Sequence, residues 1–166
     1  MLRVGLGRYL LIATLLGSLA DRVPAVGAEA SPRAVVDALL AAWNAHQPGD
    51  ASALMADDIT YLDMTVGKPL VGVEQVREGV IQLFMTAAPD LKWEMRGEPI
   101  VAADRIAFEW RFSGTNTGRW GPDTPATGRS FAFDGVSFIR LKNGKIGYEA
   151  DYYDGLGFQR QLGWIK

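Results

Sequence analysis

Hydrophobic residues recur at helical spacing directly after residue 30. Ser31-Pro32 is typical of a helix start, because serine caps the first turn and proline fits within it. Apolar residues three and four positions apart then predict one buried helix face that continues to about His46. The residues of this stripe are Val35, Val36, Leu39, Leu40 and Trp43. The first predicted element is therefore an amphipathic helix.

Two further helices and one strand are predicted before residue 90. Gln47-Pro48-Gly49 ends the first helix, and Asp50 can cap a short second helix over residues 51–55. Residues 59–64 predict a strand. A third helix is predicted over residues 73–86, because its large apolar residues fall on one side.

After residue 90 the hydrophobic period changes to two, which is typical of β-strands. Asn143-Gly144 predicts a tight hairpin between the last two strands, and residues 155–162 predict a closing helical turn. Gly114 and Gly135 suggest β-bulges that bend the sheet. The predicted strands cover residues 91–96, 100–103, 105–113, 129–141 and 145 to about 154.

This order of elements predicts an α+β fold, in which three N-terminal helices pack on one face of a curved, mostly antiparallel sheet. Residues 31–166 suit a single domain with one hydrophobic core. A bent sheet covered by helices forms a cone, and a cone of this size can hold one small ligand.

The first thirty residues have the pattern of a secretory signal peptide. Arg3 and Arg8 precede an apolar run over residues 9–20, which is too short for a membrane-spanning helix. Ala28-Glu29-Ala30 offers a cleavage site, and we therefore predict a signal peptide over residues 1–30 and a periplasmic or secreted protein without stable membrane insertion. The alternatives are an uncleaved N-terminal anchor or a misassigned start codon.

The composition narrows the chemistry that the protein can perform. The chain has no cysteine and one histidine, His46, so thiol catalysis is excluded and Cys/His metal sites nearly so. We expect no metal and no cofactor, and proton transfer by aspartate, glutamate or tyrosine. The formal net charge is −2 and basic residues form no run, so nucleic acid is not an expected partner.

The last predicted strand carries the main candidate for catalysis. Strict alternation places Asp154 on the apolar face of this strand, which predicts a carboxylate at the mouth of an apolar pocket. Such a carboxylate has a raised pKa and can act as a general acid or base. The alternative is that Asp154 caps the helical turn that follows it. The residues sharing its face are Ile146, Tyr148, Ala150 and Tyr152.

Asp151 is the second catalytic candidate. Alternation places it on the opposite face, where it would be solvated or paired with an arginine. A bulge in the strand would exchange the two faces and bring Asp151 inward, so both aspartates are retained.

The predicted pocket wall comes from several strands. Tyr61 and Asp63 share a face of the only strand between the helices and can present a phenol and a carboxylate to the same pocket. The remaining predicted lining residues are Trp110, Phe112, Phe131, Tyr148 and Tyr152.

An ordered series of motifs resembles a known family. The N-terminal motifs are residues 43–46 (WNAH), 56–63 (ADDITYLD) and 109–115 (EWRFSGT). The C-terminal ones are residues 127–129 (TGR), 135–137 (GVS), Arg140 with 144–146 (GKI), 151–154 (DYYD) and 161–163 (QLG). Together they resemble the SnoaL-like polyketide cyclases of the nuclear transport factor two-like superfamily of α+β cones, over essentially all of residues 31–166.

The resemblance implies an activity and a catalytic position. Characterised cyclases of the family close a ring of an aromatic polyketide methyl ester by an intramolecular aldol reaction, without metal or cofactor. An aspartate on the last strand moves the proton, and Asp154 matches it by its distance from Gln161-Leu162-Gly163. The chain departs from the pattern at Asn116, where many relatives have histidine, and at Tyr148-Glu149, where the glutamate is displaced by one residue.

Three functions are compatible with these patterns. The first is a cofactor-independent enzyme that performs acid–base chemistry, such as aldol cyclisation or isomerisation, on a small apolar carbonyl compound. The second is a non-catalytic exported module that holds a small apolar ligand in the same cone. The third is an interaction domain, since sheets of this superfamily commonly form homodimers through their outer face.

Overall fold

The computed structural model describes residues 31–166. The predicted signal peptide, residues 1–30, lies outside the described residues. Helix α1 spans Pro32–Asn44 and begins where predicted, because the Ser31 hydroxyl accepts a hydrogen bond of 3.2 Å from the backbone N–H of Ala34. Helix α2 spans Pro48–Ala53, a few residues earlier than predicted.

The third predicted helix is one continuous helical segment with a change of pitch in its middle. It consists of α3 (Val73–Val76), a π-helical turn (Arg77–Gln82) and α4 (Leu83–Ala87). π-Helical turns are rare in proteins, and many of those that occur lie beside functional sites. The turn contributes Val80 and Ile81 to the protein interior.

Six strands form one sheet in the order β2-β1-β6-β5-β4-β3. Only the β1–β6 pair is parallel, and every other neighbouring pair is antiparallel. The strands are β1 (Met55–Asp63), β2 (Leu70–Val71), β3 (Lys92–Ala102), β4 (Arg105–Thr115), β5 (Ser130–Lys142) and β6 (Lys145–Tyr153). Helix α5, Gly155–Leu162, follows β6 as predicted.

Two strands differ from the predicted pattern. The two short strands predicted over residues 91–103 are a single strand, β3, whose register shifts between Arg96 and Ile100 around Gly97 with φ of +64°. Strand β2 was not predicted, because two residues are too few to show a period. These differences leave the predicted architecture unchanged.

The α+β prediction is confirmed: helices pack on one face of a curved, mostly antiparallel sheet. Buried residues of the helices and of the inward sheet face form one core. Its centre is aromatic, with Trp43 of α1 in edge-to-face contact with Phe84, Trp93 and Phe112 at centroid distances of 5.3–6.5 Å.

A β-bulge near the start of β6 decides which side chains enter the core. Arg140 pairs with Tyr148 but its neighbour Leu141 pairs with Ile146, so Gly147 is an extra residue in β6. Gly114 and Gly135, where bulges were expected, pair with β5 and β4 without a shift of register, so that expectation is wrong.

Candidate active site

A small cavity lies between the inward face of the sheet and the π-helical turn. Its volume is about 40 Å³, and we call it the inner recess. Apolar and tryptophan side chains form most of its wall. Its other lining residues are Tyr61, Asp63, Glu149, Asp151 and Tyr153. Two buried carboxyl groups from one strand therefore share an otherwise apolar space.

The carboxylate of Asp151 is held in place by two hydroxyl groups. The Tyr61 hydroxyl donates to Oδ2 at 2.7 Å, and the Ser137 hydroxyl donates to Oδ1 at 2.5 Å. The Trp110 indole Nε1–H donates to the Ser137 oxygen at 2.7 Å, which directs the serine hydrogen toward Asp151. Each carboxylate oxygen thus accepts one short hydrogen bond, and the orientation of the group is fixed.

Gly135 makes this arrangement possible because it lies opposite Trp110 in the β4–β5 pair. A Cβ atom at position 135 would lie 2.3 Å from Cη2 of the Trp110 ring. The missing side chain therefore lets the indole lie flat over β5, where its N–H reaches Ser137.

Glu149 is the second carboxyl group of the recess. It lies two residues before Asp151 on the same face of β6, so the two Cα atoms are about 7 Å apart along the strand. Glu149 is 2% exposed, and no hydrogen bond within the described residues stabilises the charge of its carboxylate. A buried carboxyl group without such partners favours the neutral, protonated form.

The two carboxyl groups are therefore driven to different protonation states. Burial raises the pKa of Asp151 to about 6, while the hydrogen bonds from Ser137 and Tyr61 oppose this rise. Burial raises the pKa of Glu149 well above its usual value, and the charge of Asp151 raises it further. The hydrogen bonds from Ser137 and Tyr61 favour the ionised form of Asp151, whereas burial without such bonds favours the protonated form of Glu149, which gives the recess one candidate base and one candidate acid.

The two tyrosines of the recess act as hydrogen-bond donors. Burial and the nearby Asp151 charge raise the pKa of Tyr61 well above its usual value, so its hydroxyl stays protonated. The Tyr153 hydroxyl donates to Asp63 Oδ2 at 2.8 Å. Asp63 Oδ1 accepts from the backbone N–H and the hydroxyl of Thr65 at 2.7 and 2.6 Å. Asp63 is thus fully engaged, whereas Glu149 is not.

A larger cavity adjoins the recess. It has a volume of about 350 Å³, lies between the helical segment of residues 73–87 and α5, and is here called the outer chamber. The walls of the two cavities share Tyr61, Asp63, Val80, Phe84 and Tyr153. The size of the outer chamber falls within the range of small-molecule sites, and its wall is mainly apolar.

Four of the predicted pocket residues line the recess: Tyr61, Asp63, Trp110 and Phe112. Phe131 lies outside the walls of both cavities and belongs to the core, stacked on Phe112 with a centroid distance of 6.2 Å.

The structure places Asp151 and Asp154 opposite to the prediction: Asp151 lies inward and Asp154 is exposed. Asp154 is exposed and caps α5 by accepting a 2.8 Å hydrogen bond from the Gly157 N–H, so its predicted inward orientation is wrong and the alternative helix-cap reading is confirmed. Asp151, expected on the solvated face, is 7% exposed and lines the recess. The physical reason is the extra residue Gly147, which exchanges the faces of β6 beyond it.

The same exchange displaces two predicted pocket tyrosines. Tyr148 and Tyr152 lie on the outer face of the sheet, and Tyr152 is 47% exposed. The Arg140 guanidinium lies 4.2 Å from the centre of the Tyr148 ring. Neither tyrosine lines the recess or the outer chamber.

Sequence reasoning missed three residues of the recess network, namely Ser137, Glu149 and Tyr153. A signal for the last two existed, since a glycine within a strand suggests a bulge and Gly147 lies between Ile146 and Tyr148. No local signal marks Ser137, because its role depends on pairing with β6 and on the indole of Trp110.

Residues 31–166 contain no cluster of metal-binding side chains and no helix that could cross a membrane. No group of three or more His, Cys, Asp or Glu side chains in this range is placed to bind a metal ion. Within the same range, no helix has the length and apolar character needed to cross a membrane.

Many solved structures are similar to this chain, among them the following three. A protein from Jannaschia sp. CCS1 assigned as a SnoaL-like polyketide cyclase is 17% identical over 88% of this chain and 99% of its own, with a TM-score of 0.70. IdmH of Streptomyces antibioticus, assigned as a polyketide cyclase, is 24% identical over 80% of this chain and 98% of its own, with a TM-score of 0.65.

The third is a Catenulispora acidiphila protein with a ketosteroid isomerase-like fold, solved with trimethylamine. It is 25% identical over 78% of this chain and 92% of its own, with a TM-score of 0.64. No curated protein matches the chain. The family model of the SnoaL-like polyketide cyclases matches residues 33–162. The chain therefore belongs to the SnoaL-like polyketide cyclase family.

Proposed function

We propose that the protein is a cofactor-independent enzyme that removes a proton next to a carbonyl group of a small apolar compound, in a reaction of the aldol cyclisation or isomerisation type. The observation that carries this proposal is the buried pair of Asp151, whose charge two hydroxyl groups stabilise, and Glu149, whose burial favours the protonated form. Membership of the cyclase family supports the same class of reaction.

The proposed step balances without a metal or cofactor. The Asp151 carboxylate takes the proton from the carbon next to the carbonyl, and the electron pair of the broken C–H bond forms the carbon–carbon double bond of an enol. The carbonyl oxygen takes the proton of Glu149 as its charge develops.

In cyclisation the enol carbon attacks a second carbonyl carbon of the same molecule, whose oxygen takes the proton from Asp151. In isomerisation Asp151 returns the proton to a different carbon. In both cases the first oxygen returns its proton to Glu149.

Ser137 and Tyr61 act as positioning residues in this proposal. Their hydroxyls hold the Asp151 carboxylate in one orientation and oppose the rise of its pKa. A base with a pKa near 6 is ionised at neutral pH and still basic enough to accept a proton in the transition state.

The second candidate function is a non-catalytic module that binds a small ligand. The outer chamber favours it, because a mainly apolar cavity of about 350 Å³ can enclose a ligand without any reaction. The two functions differ in turnover, not in binding.

We also propose that the protein is exported to the periplasm or medium after cleavage of residues 1–30, and that it forms a homodimer through the outer sheet face. The leader pattern supports export, and exposed Val136 and Tyr152 support the dimer. N-terminal sequencing of protein recovered outside the cytoplasm tests the first proposal. Light scattering of wild type and Tyr152→Lys tests the second.

Hydrogen–deuterium exchange of a model ketone tests the catalytic proposal without knowledge of the natural substrate. 2-Tetralone is incubated with the protein in D₂O, and loss of the α-proton signal is followed by NMR. Wild-type protein is expected to accelerate exchange above the buffer rate. Asp151→Asn should remove about 100-fold or more of this acceleration, because the base is lost.

Asp154→Asn is the matched control, since it makes the same chemical change three residues away at an exposed helix cap. It should exchange at the wild-type rate. Absence of any acceleration by the wild-type protein, or equal rates for Asp151→Asn and wild type, would overturn the catalytic proposal.

A further inference from the structure

The two cavities differ too much in size to hold the same part of a ligand. The inner recess, at about 40 Å³, admits a group of one or two heavy atoms such as a carbonyl. The outer chamber, at about 350 Å³, admits a ring system. Because they share part of their walls, a ligand whose reacting end reaches Asp151 must place its body in the outer chamber.

One wall of the outer chamber is aromatic and carries a free donor, the indole N–H of Trp120. The Trp120 ring contacts Phe84, Phe158 and Trp164 edge-to-face at centroid distances of 4.7, 5.8 and 5.7 Å. Its indole N–H is buried and has no hydrogen-bond partner in the described part of the chain. A buried, unpaired donor is costly, and a ligand acceptor atom would satisfy it.

The two ends of the combined cavity differ in the charge of their lining residues. The recess contains the carboxylate of Asp151, and the carboxylate of Asp63 lies where the two cavities meet; both repel an anion. Among the described residues that line the outer chamber, Lys68 is the only cation, and it forms no ion pair with any carboxylate of residues 31–166. An anionic group is therefore disfavoured in the recess and favoured at the edge of the chamber.

We propose that the outer chamber is a binding subsite for the acidic end of an aromatic carboxylate, held by Lys68 and Trp120 while its neutral carbonyl end points toward Asp151. The substrate class is thus an elongated, apolar keto acid, a specification that rests on the proposed function. The orientation follows from charge, because the reverse placement would bury a carboxylate beside that of Asp151.

Calorimetric titration of a matched pair of probes tests this subsite. 2-Naphthylacetate and 2-naphthylacetamide have nearly the same shape and differ in charge. Wild-type protein should bind the carboxylate about three- to fivefold more tightly at low ionic strength, as expected for one partly exposed ion pair. Added salt should reduce this preference. Lys68→Met should abolish it while leaving amide affinity unchanged.

Two further variants complete the design. Trp120→Phe keeps an aromatic ring but lacks the N–H, so both probes should bind more weakly by about fivefold, the value of one hydrogen bond. Lys92→Met, on the exposed part of β3, should leave both affinities unchanged.

The test does not require turnover. Asp151→Asn should keep the preference for the carboxylate, so the catalytic proposal and the subsite proposal can fail separately. Absence of binding of either probe to the wild type, equal affinities for both, or a preference that survives Lys68→Met would each overturn the proposal.

Discussion

The two faces of β6 differ in nearly every respect although they belong to one nine-residue strand. The inward face presents Glu149, Asp151 and Tyr153 to the recess, where burial shifts the pKa of each. The outward face presents Tyr148 and Tyr152, one covered by an arginine and the other 47% exposed. The carboxyl groups thus lie on the face where desolvation is greatest, and Tyr148 and Tyr152 lie on the face where water is available.

This difference shows that a functional site can depend on one backbone residue that contributes no side chain. Without the extra residue Gly147, period-two alternation would place Tyr148 and Tyr152 inward and both carboxyl groups in water. An exposed carboxylate keeps an ordinary pKa and is a poor base near neutral pH. The bulge therefore decides whether β6 can present the buried carboxyl groups that the proposed reaction requires.

Deletion of Gly147 is expected to have the largest effect, because it removes the bulge that determines the two faces of β6. The shortened strand must either turn its carboxyl groups outward or lose its pairing with β5. Either result exposes apolar surface or buries unsuited side chains, and we expect a loss of about 4 kcal/mol or more in the free energy of unfolding. Urea unfolding followed by circular dichroism measures it.

Gly147→Ala is the matched control for this deletion, since it retains the residue count. Its Cβ atom would meet Cβ of Lys142 at 2.9 Å, so a small shift of the hairpin is required. We expect a loss of about 1 kcal/mol with the acceleration of ketone exchange retained. A deletion variant as stable as the alanine variant would show that the bulge does not determine the faces.

The second prediction concerns the pH dependence of stability that the buried carboxyl groups on the inward face of β6 produce. The pKa of Asp151 rises from 3.8 in the unfolded chain to about 6 in the folded protein, so the folded state binds this proton more tightly. Its contribution is present below pH 3.8 and is lost as pH rises through 6, a decrease of about 3 kcal/mol. Burial also raises the pKa of Glu149, so Glu149 contributes with the same sign.

Urea midpoints measured from pH 4 to pH 8 test this prediction. Wild type should lose stability across the range, and the double variant Glu149→Gln/Asp151→Asn should lose much less. Asp154→Asn should follow the wild-type curve. The range begins at pH 4 because Asp58, Asp90 and Asp104 have lowered pKa values and give the opposite slope in more acidic solution. A wild-type curve that rises from pH 4 to pH 8 would contradict the assignment of the buried carboxyl groups.

Sequence patterns predicted the architecture more fully than the site. Helix α1, strands β4 and β5 and the final hairpin could be predicted because their apolar periods are long and their turn residues specific. Family motifs supported the same fold. The faces of β6 could not be derived from alternation, because one inserted residue inverts the pattern and the apolar residues on both faces hide the inversion.

The network around Asp151 was beyond sequence reasoning for a different reason. Ser137, Tyr61 and Trp110 come from three other strands, and their contacts depend on register and on the direction of each hydroxyl. Tyr61 was predicted as a pocket residue, but its hydrogen bond to Asp151 joins residues 90 positions apart.

Gly135→Ala perturbs the inward face alone and should have a moderate effect. The new Cβ would displace the Trp110 ring from β5 and weaken its hydrogen bond to Ser137. We expect a loss of about 2 kcal/mol in unfolding free energy and slower exchange of the model ketone. Gly49→Ala in α2 is the control, because no atom lies within 4 Å of its Cβ position and stability should be unchanged or slightly higher. Equal stability of the two variants would contradict the described packing of Trp110.

Asp154→Ala is expected to have the smallest effect and marks the outer limit of the site. The variant removes the side chain that accepts the Gly157 N–H at the start of α5, which should cost about 1 kcal/mol of stability. Asp154→Asn should cost almost nothing, because asparagine caps a helix equally well. Neither change should alter the rate or the pH profile of ketone exchange, since Asp154 does not line the recess. If Asp154→Ala instead lowered the exchange rate as strongly as Asp151→Asn, the functional difference between the two aspartates would disappear. The base would then have to be sought at the mouth of the cone.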